Sequence, residues 1–199
     1  MSDILGDGLA PSGEEAKDAE LMRRVRAGDE AAFAELMGRW ELPVKRLIAR
    51  IVLNASEAEE LAQETMVRVW QQREKFREGA AVRPWIFAIA ANLSRNRLRW
   101  WRRRPTVSLH EWSETSGEWG VLSDEGGGGE TLERAERAEA VRAAVAALPV
   151  ELREALVLFD YEGLSQAEAG AALGCTVKAV ESRVARAREK LRGALRRWV

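Results

Sequence analysis

The chain has 199 residues, with 31 Lys and Arg against 32 Asp and Glu, a formal net charge of -1, one cysteine and one histidine. The length accommodates one domain or two small ones, and the near-neutral balance excludes a uniformly basic DNA-coating protein. Cys175 and His110, each alone of its kind, exclude an intrachain disulfide and a Cys/His zinc cluster, so neither metal nor cofactor is expected.

Residues 1–17 are rich in Gly, Ser, Asp and Glu and read as a flexible acidic N-terminus. No apolar run is long enough to cross a bilayer and no hydrophobic signal core precedes the first periodic segment, so membrane insertion is not expected and a cytoplasmic location is the default. From about Asp18 an apolar rhythm begins with Leu21, Met22 and Val25. It pauses at Gly28 and Asp29 and resumes with Phe33, Leu36 and Trp40. Pro43 is expected to interrupt or kink this helix before Leu47, Ile48 and Ile51 continue it.

Ser56 followed by Glu59 predicts a capping box at the start of the next helix. Ala58, Leu61, Ala62, Thr65, Met66, Val69 and Trp70 then form its buried stripe, leaving Glu60, Gln63, Glu64 and Arg68 on the complementary surface. Residues 77 to 83 read as a loop. Pro84 fits the first turn of a helix whose apolar side is Trp85, Ile86, Ile89, Ala90 and Leu93. Its opposite side presents Asn92, Arg95, Asn96 and Arg99, inside a stretch, 95 to 104, that holds six arginines and no acid. Trp100 and Trp101 either stack on a ligand or anchor the helix end.

Between 105 and 130 periodicity disappears, acids accumulate and four glycines, 126 to 129, occur in succession, which predicts a flexible acidic linker and a domain boundary. Trp112 and Trp119 are unusual there and suit docking on a partner or on the domains. Helical pattern returns from Thr131 to Leu148. A second stripe from Leu152 to Phe159 stops before Gly163, and two more helices follow, Ser165 to Leu173 and Thr176 to about Trp198. Ser165 and Glu168 make a second candidate capping box. Val177, Val180, Val184, Ala187 and Leu191 define the inward side of the last helix. Lys178, Glu181, Ser182, Arg183 and Arg186 remain for its outer side, within a tail of eight basic residues and two acids. A short helix, a turn at Gly174 and a longer basic helix fit a helix-turn-helix whose second helix enters the major groove.

The fold class is therefore all-α: two small helical domains, 18–104 and 131–199, joined by a flexible linker, the second containing a helix-turn-helix. Nothing suggests catalysis. The carboxylates follow helix surfaces, His110 lies in the linker, and Gly126 to Gly129 lacks the lysine and helix of a phosphate-binding loop.

The run EAEELAQETMVRVW, Glu57 to Trp70, resembles region 2 of sigma-70-type factors, and WIFAIAANL, Trp85 to Leu93, resembles its continuation. Leu148 and Pro149, YEGLSQAE from Tyr161 to Glu168, and VESRVARAR from Val180 to Arg188 are together similar to region 4. Their order, with a connector in place of a further domain, resembles the extracytoplasmic-function (ECF) subgroup. Asn96, Met66 and the small stretch Ala169 to Ala172 depart from the family's usual residues.

The resemblance implies an alternative sigma factor. Its first domain would hold the clamp helices of core RNA polymerase through Glu60, Gln63, Glu64 and Arg68, and would read the -10 element through Asn92, Arg95, Asn96, Arg99 and Trp100, with loop 77–83 beside them. Its second domain would bind the polymerase flap and read the -35 element through Lys178, Glu181, Ser182, Arg183 and Arg186. An anti-sigma protein covering both domains is a further family-based expectation. Two other readings fit the same residues: a two-domain helix-turn-helix regulator without sigma activity, and a polymerase-binding adaptor that does not read DNA.

Overall fold

The computed structural model describes residues 13–103 and 132–198. The linker, with His110, Trp112, Trp119 and the four-glycine run, lies outside the described residues, as do residues 1–12. Every regular element among the described residues is helical.

The first domain contains α1 (Gly13–Arg26), α2 (Glu30–Val52), α3 (Ala55–Gln71), a 3-10 turn (Arg73–Lys75) and α4 (Val82–Arg102). Helix α1 starts earlier than the apolar rhythm indicates, because its polar first turns are held by ion pairs rather than by burial. Lys17 pairs with Glu35, while Arg39 of α2 pairs with Glu14 and donates from Nε to Asp18 Oδ1 at 2.7 Å.

Asp29 caps α2 by accepting from the Ala32 amide at 3.0 Å, and Arg24 holds the same carboxylate. Helix α2 runs through Pro43 without a break. Leu36, Trp40, Val44, Leu47 and Ile48 lie in the core on both sides of the proline, and their shared burial outweighs the lost hydrogen bond. The helix stops at Leu53, a non-glycine residue in the left-handed region (φ 64°) whose amide donates to Ala49 O at 2.8 Å.

The capping box expected at Ser56 and Glu59 is not formed. The α2–α3 connection is so short that Asn54 occupies the extended cap position and accepts from the Glu57 amide at 2.9 Å, leaving Ser56 already inside the first turn. Glu59 pairs instead with Lys45 of α2. Trp85 is structural, its ring edge-on to Phe76 at 5.2 Å, and Trp40 meets Phe87 the same way at 5.6 Å.

The second domain comprises α5 (Leu132–Ala146), α6 (Val150–Leu156) continuing into a π turn (Val157–Tyr161), α7 (Gln166–Leu173) and α8 (Val177–Ala194). The Ser165–Glu168 capping box is present, with both reciprocal bonds formed. Gly174, with φ 63°, closes α7 in the Schellman manner: the Cys175 amide donates to Gly170 O at 2.9 Å and the Gly174 amide to Ala171 O at 3.3 Å. Thr176 caps α8. Val180, Val184 and Ala187 of the expected inward stripe are buried, whereas Val177, in the first turn beyond the reach of the core, is exposed.

The two domains are packed on each other. Ala155, Leu158, Leu164, Ala169, Leu173 and Val180 belong to the same buried cluster as Leu36, Ile48, Ile86 and Phe87. Helix α4 lies against α7, the first helix of the helix-turn-helix, and α2 contacts the α6 and π segment. A smaller cluster of Val145, Leu148, Leu152, Leu156 and Ala187 ties α5 and α6 to α8.

Candidate nucleic-acid and protein interfaces

On α3 the helical period turns Glu60, Gln63 and Arg68 to the surface and leaves Glu64 half-buried beside them. Arg68 Nη2 donates to Glu64 Oε1 at 3.0 Å across one turn. Arg97 of α4 reaches across to Glu57 and lies 3.6 Å from Glu60 Oε2. Partial burial raises the Glu57 carboxyl above its ordinary range, opposed by Arg97. Between α3 and α4 runs an open groove of about 450 Å³ whose lining includes Glu64, Arg68, Asn96, Arg97 and Trp100 over a floor of Leu61 and Leu93. Two sets of residues that the sequence assigns to different partners thus border one groove.

Along α4, Asn92, Asn96, Arg99 and Trp100 are exposed. The neighbouring tryptophans divide their roles: Trp100 is 40% exposed at the groove, whereas Trp101 is packed against the core. Arg95 differs from its neighbours on the stripe. It is half-buried, bonds Asn92 Oδ1 at 3.0 Å, and places Nε 3.2 Å from both carboxylate oxygens of Glu154, a residue of α6 in the other domain. In the loop before α4, Arg77 to Ala80 are exposed and Gly79 adopts φ 79°. Arg83 packs its guanidinium over Phe87 at 5.5 Å and donates to Glu162 O, again across the domain boundary.

On α8, Lys178, Glu181, Ser182 and Arg186 are exposed, and Arg186 Nε bonds Ser182 O at 3.3 Å. Arg183 is turned partly inward, with Nη1 3.5 Å from Cys175 Sγ. It helps to hold the turn of the motif and contributes positive potential at Glu154.

Pattern reading missed the carboxylates and guanidinium that join the domains. Glu154 is 1% and Glu162 8% exposed, and Arg153, immediately before Glu154, is buried as well. Burial raises both carboxyls above their ordinary range despite Arg95 beside Glu154 and Arg50 and Arg83 beside Glu162. Burial also lowers Arg153 to about 10, opposed by Glu154. Arg153 Nη1 donates to Ile51 O at 2.8 Å in the first domain, and Nη2 to Leu148 O at 3.1 Å. Arg50 Nη1 donates to Glu162 Oε1 at 2.9 Å while its guanidinium covers Tyr161. From Leu152 to Leu158 every residue is buried, so this stretch lacks the polar face that would have marked Arg153 and Glu154.

Among the described residues no group of acids, histidines and cysteines is arranged to hold a metal ion, and no helix is long and apolar enough to cross a membrane. Two helical domains, one with a polar and basic face on α4 and the other with a basic helix-turn-helix, define a nucleic-acid-binding protein with two reading surfaces.

Residues 36–104 match the model of sigma-70 region 2, and residues 138–191 that of sigma-70 region 4. The chain is 33% identical over 182 residues to the RNA polymerase sigma-H factor of Pseudomonas aeruginosa, covering 90% of this chain and 94% of the relative. It is 31% identical over 180 residues to the ECF RNA polymerase sigma-E factor of Escherichia coli K12, covering 89% and 94%. Among solved structures it resembles CnrH in complex with the cytosolic domain of CnrY, with a TM-score of 0.66 and 26% identity over 92% of this chain and 99% of that one. It also resembles the Bartonella quintana sigma factor RpoE in complex with the anti-sigma factor NepR, with a TM-score of 0.59 and 25% identity over 78% and 92%. The chain belongs to the sigma-70 family, in its ECF subgroup. It is an alternative sigma factor, which binds core RNA polymerase and directs promoter-specific transcription.

Proposed function

We propose that the three polar faces divide the work of initiation as follows. Glu60, Gln63, Glu64 and Arg68 dock on the clamp helices of core polymerase; Asn92, Arg95, Asn96, Arg99 and Trp100 take the -10 element; and Lys178, Glu181, Ser182, Arg183 and Arg186 take the -35 element. The observation that carries this reading is the exposure of Asn92, Asn96, Arg99 and Trp100 along α4, within the segment matching region 2. Amides at that spacing are suited to base edges, the guanidinium to phosphate, and the exposed indole to an unstacked base, worth about 1–3 kcal/mol. On α3 the mixed charges favour orientation and encounter rate, because each exposed ion pair contributes only about 0–1 kcal/mol.

The α8 face supports the second half of the reading through three exposed polar side chains near the helix N-terminus, Lys178, Glu181 and Ser182, where a recognition helix meets base edges, with Arg186 exposed farther along. An anti-sigma partner is part of the same proposal, supported by the two solved relatives captured in complexes.

The test is in vitro transcription with purified core polymerase and mapping of the start sites. Replacing Asn96 and Arg99 by alanine should reduce promoter-specific initiation while leaving core binding intact, and replacing Glu64 and Arg68 should weaken core binding first. Unchanged initiation by both pairs would remove these faces from the mechanism.

A further inference from the structure

The arginines of α4 do not share one job. Arg99, Arg102 and Arg103 are exposed, Arg95 is drawn to Glu154, and Arg97 turns toward α3. Its guanidinium pairs with Glu57 and lies 3.6 Å from Glu60 Oε2. Glu57 is the partner that holds it. The Glu57 side chain is 21% exposed against 66% for Glu60, so water screens the first pair far less.

Glu57 is itself a fixed point. It is the third residue of α3, and its amide donates to Asn54 Oδ1 in the cap that follows the turn at Leu53. Its carboxylate stands near the helix N-terminus, where negative charge is favoured. Partial burial works against that charge and raises the carboxyl, so loss of Arg97 would leave a half-buried anion without the cation that opposes this.

Arg97 in turn borders the residues assigned above to DNA. Asn96 precedes it, Trp100 follows one turn later, and all three line the groove with Glu64 and Arg68. Apolar burial between α3 and α4 is non-directional, whereas a guanidinium on a carboxylate fixes orientation. The pair therefore restrains a rotation of α4 that packing alone leaves free.

We propose that Arg97 is a positioning residue for -10 reading: anchored on Glu57, it sets the rotation of α4 that turns Asn96 and Trp100 toward the strand, and it makes no DNA contact of its own. The inference rests on the reading of α4 as a DNA face. A phosphate contact merely restrained by Glu57 would give the opposite sign in one variant. Freeing a phosphate-binding arginine and removing a nearby negative charge strengthens binding, whereas loosening an anchor weakens selectivity.

The experiment uses purified holoenzyme formed with each variant and two fluorescein-labelled single strands, one carrying the mapped -10 sequence and one scrambled. Affinities are measured at two or more salt concentrations, with helicity checked by circular dichroism. Arg97→Gln and Glu57→Gln are each expected to lower the ratio of -10 to scrambled affinity by about fivefold or more, the discrimination of one base contact, at an unchanged slope of log affinity against log salt. The double variant Arg97→Gln/Glu57→Gln should do no worse than either single one, because both act through one pair. Arg97→Lys, which keeps a cation on Glu57, should recover part of the ratio.

If Arg97→Gln lowers the slope by about 1 while Glu57→Gln strengthens binding to both strands, Arg97 is a phosphate contact and the positioning role is overturned. If Asn96→Ala lowers the ratio but the pair variants shift only the urea midpoint, the pair is a fold contact; the positioning role fails and the DNA reading stands. If Asn96→Ala, Arg99→Ala and the pair variants all leave both affinities unchanged, the reading of α4 itself fails and the positioning role falls with it. Should the glutamine variants lose their helicity, Glu57→Asp takes their place. Drawing the carboxylate back by one methylene should lower the ratio, and an unchanged ratio overturns the positioning role.

Discussion

A Cβ placed on Gly170 would stand 2.9 Å from the carbonyl oxygen of Cys175, closer than side chains and backbone tolerate. The two residues are also joined by the bond from the Cys175 amide to Gly170 O, so the turn cannot yield without loosening the end of α7. Gly170→Ala would gain up to about 1 kcal/mol of helix propensity and lose about 1–3 kcal/mol to overpacking. The net expectation is destabilisation of about 1 kcal/mol or more, read as a lowered urea midpoint with the m-value unchanged. Gly174 poses a different problem: its Cβ position is open, but φ is 63°. Gly174→Asn should therefore cost less than Gly174→Ala, since asparagine tolerates the left-handed region.

Asp29 ties the end of α1 to the start of α2, accepting from the Ala32 amide and from Arg24. Asp29→Ala is expected to lower stability at neutral pH, because the α2 cap and the Arg24 contact are lost together. The amide bond, then Arg24, hold its carboxyl below the ordinary aspartate range. A depressed folded-state value means that the contribution is present above the unfolded value and fades as pH falls through the folded one. Parent and variant should draw together in thermal midpoint as pH falls below the ordinary aspartate range. A gap that stays constant through acid would assign the loss to packing.

The first domain was largely legible because its helices are amphipathic. The buried positions Leu61, Thr65, Met66 and Val69 follow from period alone, and the exposed Glu60, Gln63 and Arg68 are their complement. The helix-turn-helix was legible for the same reason, its Ser165 box and Gly174 turn being local chemistry. The domain interface was not. Arg153 and Glu154 are adjacent, so no helical period puts both inward, and only contact with α2 and α4 explains their burial. Likewise Ser56 and Asn54 are both sound cap residues, and the tight turn after Leu53 decided between them.

The interface carbonyl partners make Arg153 costly to replace. Its guanidinium serves Ile51 O and Leu148 O in a buried setting. Arg153→Ala would leave those acceptors dry and Glu154 with less positive potential, for a loss of about 3–5 kcal/mol. Arg153→Lys should recover only part, because an ammonium cannot reproduce the fork. The measurement is equilibrium unfolding of the full chain, and parity between the lysine variant and the parent would show that charge alone suffices.

Acidity should tighten the domain contact before it loosens the fold. Glu154 faces Arg95, Glu151 and Arg183, Glu162 faces Arg50 and Arg83, and for both residues burial dominates and raises the carboxyl. A raised value in the packed chain means that these groups favour packing fully below the unfolded value near 4.5, an advantage lost as pH rises through the packed value. Scattering at moderate ionic strength should show a more compact population at about pH 5 than at pH 8, and Glu154→Gln should flatten the trend. As pH falls below the ordinary glutamate range the trend should reverse, as Glu14, Glu35 and Glu59, whose carboxyls are held low by Arg39, Lys17 and Lys45, become protonated.

Asn96 and Arg99 share the exposed side of α4 and, on the proposed reading, differ in what they sense. A guanidinium on phosphate neutralises charge and releases counterions whatever the base sequence, whereas an amide on a base edge contributes only where the edge matches. Arg99→Ala should therefore weaken binding to promoter and non-promoter strands alike and reduce the slope of log affinity against log salt by about 1. Asn96→Ala should leave that slope intact and reduce the preference for the mapped -10 sequence. Titrations of the polymerase holoenzyme on both strands at two or more salt concentrations separate the two effects. A selectivity loss with Arg99→Ala at constant slope would exchange the roles, placing the guanidinium on a base and the amide on the backbone.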